Sequence, residues 1–117
     1  MRITLTLDAT DPARLAEFWA AALGYTDLGE VGVFFPLGSD DERDVLLVIQ
    51  RVAEPRSPGK NRLHLDVHVD DLATEVARLE ALGATLVTTE ARCEHGHEWH
   101  VLADPEGNEF CVVKRPD

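Results

Sequence analysis

The sequence predicts an α+β fold in which a strand–helix–strands module occurs twice. Two segments alternate strictly between apolar and polar residues, and a helix-like segment follows each of them. The copies align at an offset of 60, which superimposes Arg2 on Arg62 and Asp11 on Asp71. A module of one helix on one sheet buries little apolar surface alone. We therefore expect two βαβββ modules, related by a pseudo-twofold, to form a curved sheet around a cleft.

The first strand of each module carries the polar face of interest. Residues 61–71 (NRLHLDVHVDD) have apolar residues at the odd positions from 63 to 69 and polar residues at the even positions. Successive side chains of a strand point to opposite faces, so His64 and Asp66 share one face. The opening segment alternates in the same way, with Thr4 and Thr6 on its polar face. We expect these polar faces to line the cleft.

A helix with recognisable ends follows each of these strands. In the first module Asp11 is the expected N-cap, and Gly24 ends the helix. In the second module Asp70 or Asp71 is the N-cap, and Gly83 ends the helix. Each helical segment has an apolar stripe on one face, as expected for a helix that packs on a sheet.

The remaining strands and the joint between modules are read from alternation and turn residues. The predicted strands are 31–36, 44–52, 84–89, 97–103 and 109–114. The link 104–109 (DPEGNE) has the proline, glycine and asparagine of a hairpin turn. The polar segment 54–61 contains two prolines and a glycine, which indicates a linker. We predict one domain, 1–117, made of module one (1–54), a linker (55–61) and module two (62–117).

Composition excludes several classes of protein. The chain has 22 acidic and 11 basic residues and a net charge of −11, which disfavours nucleic acid and anionic membranes as partners. Its apolar runs are shorter than the roughly 18–20 residues of a membrane span. The opening residues lack the apolar core of a signal peptide. We therefore predict a cytoplasmic protein, in which Cys93 and Cys111 are reduced.

Four segments, in this order and spacing, resemble a known family. They are DPARLAEFWAAALGY, KNRLHLDVHVDDL, ALGA and DPEGNEFCVV. The sequence is similar to the vicinal oxygen chelate superfamily of glyoxalase I, bleomycin-resistance proteins and extradiol dioxygenases, and within it to the small glyoxalase-like domains. The resemblance implies the paired βαβββ fold, a small-molecule cleft and homodimers.

The resemblance also defines four positions for a divalent metal. Metal-dependent members supply His or Gln from the first strand of each module and a carboxylate from the last strand of each. Those positions hold Thr4, His64, Gln50 and Cys111 here. His64 matches outright, and Gln50 offers an amide oxygen. This set carries at most one negative charge, which disfavours a hard dication. We therefore predict no metal cofactor at the family position.

His64 and Asp66 are the candidate catalytic residues. Asp66 lies two residues beyond His64 on the same face, so its carboxylate can orient the imidazole for general acid–base chemistry. The alternative is a hydrogen-bonded histidine with a structural role. Cys111 is a conceivable nucleophile with His64 as its base, if the two face each other.

Residues 93–100 (CEHGHEWH) concentrate metal-binding side chains. In a hairpin, Cys93, His95 and His97 could meet on one side and capture zinc or nickel; the alternative is an exposed polar turn between two strands. Trp99 follows on the strand, as a flat apolar wall of the cavity or as a core residue.

Two functional hypotheses follow. The first is a binding protein without a catalytic metal, similar to the resistance-type members, which sequester a ligand. Its predicted pocket residues are Thr4, Thr6, Gln50, His64, Asp66, Trp99 and Cys111. The second is a glyoxalase-like lyase, isomerase or dioxygenase that uses a metal or the His64–Asp66 pair.

Overall fold

The computed structural model describes residues 3–59 and 61–116. The chain divides into two units, Met1–Ser57 and Pro58–Asp117, and this boundary lies within the predicted linker segment. Each unit carries one helix and one sheet of mixed strand directions, which confirms the predicted α+β class. Among the residues described, no helix is long and apolar enough to cross a membrane.

The first unit has a four-stranded sheet in the order β1-β4-β3-β2. Its elements are β1 (Thr4–Ala9), α1 (Pro12–Leu23), β2 (Thr26–Asp27), β3 (Phe34–Gly38) and β4 (Leu46–Arg51). Strand β1 runs parallel to β4, and the other pairs are antiparallel. On β4, Leu47 and Ile49 are buried, whereas Val48 and Gln50 are half-buried. Because side chains alternate along a strand, Val48 and Gln50 lie on the same face of the sheet as Thr6.

The second unit has a sheet in the order β5-β9-β8-β6, with β7 paired to β8. Its elements are β5 (Asp66–Val69), α2 (Leu72–Leu82), β6 (Thr85–Leu86), β7 (Arg92–Glu94), β8 (His97–Ala103) and β9 (Glu109–Lys114). Strand β5 runs parallel to β9. Helix α2 packs on β8 and β9, where Leu102, Phe110 and Val112 are buried. The opposite face of β9 therefore carries Glu109 and Cys111.

The helix ends confirm the predicted caps. The backbone N–H of Arg14 donates to the Asp11 carboxylate over 3.3 Å, and the N–H of Thr74 donates to the Asp71 carboxylate over 3.0 Å. Asp71, rather than the residue before it, is therefore the N-cap of α2. Gly24 follows α1 with a φ of 67°, a left-handed conformation that favours glycine.

Asp71 makes the stability of α2 depend on pH. The hydrogen bond from the Thr74 backbone N–H, with a smaller contribution from the Thr74 side chain, holds the pKa of Asp71 below its ordinary value of 3.8. Because the folded pKa is depressed, this stabilisation is present above pH 3.8 and lost as the pH falls through the folded pKa. Asp71→Asn retains a capping oxygen but does not titrate. We expect the urea midpoint to fall less in Asp71→Asn than in the wild type between about pH 5 and pH 3; parallel declines would contradict this assignment.

Three predicted strands differ from the structure. Strand β5 begins at Asp66, although the N–H of Cys111 still donates to the carbonyl of Leu65. Within 31–36, Val31 and Phe34 exchange backbone hydrogen bonds around a tight turn that places Gly32 at a φ of 61°, so β3 starts only after it. The predicted strand 84–89 shortens to β6. Alternation does not register these turns, because turn residues can alternate in polarity like strand residues.

The link between β8 and β9 is the predicted hairpin turn. Asp104 is buried, with 3% of its surface exposed. Its carboxylate accepts hydrogen bonds from the N–H of Glu106 and from the N–H and side-chain amide of Asn108, at 2.9–3.0 Å. The carboxylate therefore holds the turn together with two backbone hydrogen bonds, from the N–H of Asp104 to the carbonyl of Asn108 and from the N–H of Gly107 to the carbonyl of Asp104, both 2.8 Å.

Candidate binding site

The site begins with an imidazole–carboxylate pair at the start of β5. Nε2 of His64 lies 3.1 Å from Oδ1 of Asp66, and the two side chains are 41% and 49% exposed. Residue spacing explains the pair, because positions two apart in an extended chain face the same side. The structure thus brings together the two residues predicted as catalytic.

Strand pairing adds Cys111 to this pair. In the parallel register of β5 and β9, Asp66 is the partner of Cys111, and in the antiparallel register of β8 and β9, Cys111 is the partner of Val101. Partners in register point to the same face of a sheet. A nitrogen of His64, a carboxylate oxygen of Asp66 and the sulfur of Cys111 all lie within 4.8 Å of one another. An imidazole, a carboxylate and a thiol therefore converge on one point.

A cavity of about 510 Å³ lies over this face of the second-unit sheet. Trp99, Val101 and Val113 give it apolar walls, and His64, Asp66 and Cys111 supply polar groups. Its volume is in the range of small-molecule sites, and most of its surface is apolar, although charged side chains such as Arg92 and Glu109 also line it. Trp99 lines this cavity.

The other three predicted pocket residues belong to the first unit, whereas this cavity is lined by residues of the second. Thr4 and Thr6 are exposed on β1, and Gln50 is half-buried on β4. Thr6 is paired with Val48, and Gln50 is paired with Asp8. Thr6 aligns with Asp66 in the internal repeat, and the strand partners of these two residues are Val48 and Cys111. Val48 is therefore the structural counterpart of Cys111. Gln50 lies two residues further along the strand.

The histidine-rich turn of 93–100 does not gather its predicted cluster. His95 and Gly96 form a two-residue hairpin turn with φ angles of 52° and 80°. Cys93 is paired with Glu98 in β8, and His97 is paired with the neighbour of Cys93. Adjacent pairs alternate in face, so Cys93 and His97 point to opposite sides of the hairpin. The segment is a β-hairpin with an exposed turn at His95–Gly96, and its residues in β8 are half-buried.

Several lining residues lie outside the set predicted from the sequence, among them Arg92, Val101 and Val113. Arg92 is paired with Trp99 across the β7–β8 hairpin and so shares its face. The sequence signal for this register is the two-residue turn at His95–Gly96, which places Arg92 opposite Trp99. Cys93 is exposed and Cys111 is half-buried.

Comparison with known proteins identifies the family. A family model described as a glyoxalase-like domain matches residues 4–113. The chain belongs to the glyoxalase-like domain family. This places the glyoxalase-like chain in the vicinal oxygen chelate superfamily, as the sequence motifs predicted. No curated protein sequence matches it significantly.

Solved structures share this fold over most of its length. A glyoxalase/bleomycin resistance protein/dioxygenase family enzyme from Burkholderia phytofirmans PsJN is 19% identical, with a TM-score of 0.79 and 95% of each chain covered. A glyoxalase-related enzyme from Fulvimarina pelagi is 18% identical, with a TM-score of 0.75, 98% of this chain and 88% of that chain covered. The oxidase ChaP-H2 is 21% identical, with a TM-score of 0.64, 99% of this chain and 96% of that chain covered. Identities this low show a common fold.

The family's metal arrangement can be tested against these residues. In the first unit the relevant positions are a threonine, Thr4, and the apolar Val48, with Gln50 nearby. These side chains supply neither an imidazole nor a carboxylate, so the four-ligand set of metal-dependent members does not fit this glyoxalase-like chain. The second unit differs, because three donors of different chemistry converge there.

Proposed function

We propose that this protein binds a small organic molecule in the cavity over the second-unit sheet, without the four-ligand catalytic metal of its metal-dependent relatives. The observation that supports this is a cavity of about 510 Å³ whose apolar walls meet a compact polar group of side chains. Binding sites for small molecules combine these two features, since the walls supply affinity and the polar groups fix orientation.

The lining indicates the kind of ligand. Trp99 offers a flat ring against which an aromatic or heteroaromatic body can stack. His64 can donate and accept hydrogen bonds, and Arg92 carries a positive charge that suits a carboxylate or phenolate group. We therefore infer a planar, partly apolar ligand with a polar or anionic substituent.

An enzyme is the second candidate, supported by the 3.1 Å separation of His64 and Asp66. A histidine oriented by a carboxylate can move protons in isomerase or lyase chemistry. Related structures include one described as an oxidase and one described as a glyoxalase/bleomycin resistance protein/dioxygenase family enzyme, so oxidative chemistry is a further candidate. Incubating the protein with a compound that binds, and then analysing that compound by mass spectrometry, separates the two hypotheses. An unchanged compound supports a binding protein, and a converted compound supports an enzyme.

A ligand screen tests the pocket. We expect planar aromatic acids and phenols to raise the thermal midpoint of the wild type, and calorimetry of the best compound to show at least about tenfold weaker binding for Trp99→Ala and for His64→Ala. His95→Ala, on the exposed hairpin turn, is the matched control and should bind like the wild type. If both cavity variants bind every identified compound as the wild type does, the ligand site lies elsewhere.

We further propose that the protein is a cytoplasmic homodimer. Its two thiols suit a reducing compartment, and its charge of −11 disfavours nucleic acid and anionic membranes. Pairing into dimers is what the resemblance to the family implies. Light scattering should give twice the monomer mass of 12.9 kDa.

A further inference from the structure

We propose that His64, Asp66 and Cys111 together bind a thiophilic divalent cation, for which Zn²⁺ is the probe, using no ligand from the first unit. The proposal stands apart from the organic ligand, because it rests on the donor atoms alone. It also differs from the arrangement implied by the family, in which each module contributes ligands and the position of Asp66 contributes none.

Geometry supports the set first. The three donor atoms lie within 4.8 Å of one another, and Nε2 of His64 is already 3.1 Å from Oδ1 of Asp66. Tetrahedral zinc with ordinary bond lengths separates its N, O and S ligands by roughly 3.4–3.6 Å. The side chains of His64 and Asp66 are about half exposed, so small rotations can reach these spacings without disturbing the core. The backbone of Cys111 is held in place, because β9 is paired on both sides.

Charge supports the set next. The four family positions carry at most one negative charge, which is the objection to a dication bound by that set. Asp66 removes that objection, since it brings a second negative charge to the imidazole and the thiol. With Cys111 ionised by metal binding, the three ligands carry a charge of −2, which balances a dication. Asp66 thus replaces, from within the same module, a carboxylate that the family pattern takes from a last strand.

The donor types select the cation. A thiolate with an imidazole favours zinc and similar borderline ions over magnesium, calcium or manganese, which prefer sets of oxygen ligands. Three protein ligands leave the fourth position of zinc open to water or to a bound molecule. All three residues line the cavity, so that open position would be accessible from it.

Competition for Zn²⁺ against a chromophoric chelator tests this in the full chain, purified without a tag and stripped of metal. We expect one Zn²⁺ per chain, and affinity reduced more than about 100-fold in each of His64→Ala, Asp66→Asn and Cys111→Ser, which exceeds the usual effect of residues outside the ligand shell. Excess Mg²⁺ should not compete. Cobalt should give a thiolate charge-transfer absorption that disappears in Cys111→Ser and persists in Cys93→Ser.

The matched controls are Cys93→Ser for the thiol, Asp70→Asn for the carboxylate and His95→Ala for the exposed turn. Each should bind Zn²⁺ within about threefold of the wild type. Equal binding by wild type and Asp66→Asn would overturn the proposal, as would a large loss in Thr4→Ala or Gln50→Ala, which would restore a ligand set drawn from both units. Circular dichroism checks that each variant folds. If Cys111→Ser does not fold, the proposal is decided by the Zn²⁺ affinity of the near-isosteric Asp66→Asn and by the thiolate absorption of the cobalt-loaded wild type and Cys93→Ser.

Discussion

Trp19→Ala is expected to lower the free energy of unfolding by about 3–5 kcal/mol, the usual cost of removing a fully buried tryptophan. Trp19 is 1% exposed on α1, which packs against β3 and β4. Its ring also meets the ring of Phe18 edge-on at 5.2 Å, so the substitution loses an aromatic contact as well as apolar burial. Since small proteins are stable by about 5–15 kcal/mol, this one change removes a large part of the total.

Urea unfolding followed by circular dichroism measures this change. Phe34→Ala is the matched control, because Phe34 is an aromatic residue of the same unit with 44% of its surface exposed. We expect the control to cost about 1 kcal/mol or less. Comparable shifts for the two variants would show that the α1 contact contributes little to stability.

Asp104→Ala is expected to cost roughly 2–4 kcal/mol. The buried carboxylate accepts from two backbone N–H groups and from the amide of Asn108, and alanine leaves these donors without their acceptor. Each buried polar group left unsatisfied costs about 1–3 kcal/mol, with partial relief if water enters the turn. Because the turn sets the start of β9, the variant should also displace Cys111 and weaken Zn²⁺ binding.

Two comparison variants make the Asp104 measurement specific. Asp104→Asn keeps one acceptor oxygen for the backbone donors and should fall between wild type and Asp104→Ala. Asp41→Ala removes a similar carboxylate from an exposed turn, where Asp41 accepts a hydrogen bond from the backbone N–H of Arg43. In this variant the donors hydrogen-bond to water instead, so we expect little change in the free energy of unfolding. An Asp104→Ala variant as stable as Asp41→Ala would mean that the buried turn is held by its backbone alone.

Features specified by neighbouring residues could be predicted from the sequence. The caps at Asp11 and Asp71 depend on a side chain and a backbone N–H three residues away, so local sequence identifies them. Strands β8 and β9 have the predicted bounds, 97–103 and 109–114, because the Asp104 turn between them carries its own signature. The common face of His64 and Asp66 likewise follows from alternation.

Features that depend on pairing between distant segments could not be predicted. Nothing near Cys111 in the sequence states that it pairs with Asp66, because the register of the parallel strands β5 and β9 is set by packing of the whole unit. For the same reason the sequence predicts Gln50 at the last-strand position, whereas the register of the first unit places Val48 opposite Thr6.

The internal repeat has a consequence for how the two copies diverged. Strands β1 and β4 pair in parallel with the same relative register as β5 and β9, and Thr4, Thr6 and Val48 occupy the counterparts of the three candidate cation ligands. They also share the accessibility of those ligands, with the first two exposed and the third half-buried. The same set of donor side chains would therefore be placed in the first unit by the three substitutions Thr4→His, Thr6→Asp and Val48→Cys. Because the two units pair these strands in the same register, the chemical difference between them at this place comes down to three side chains.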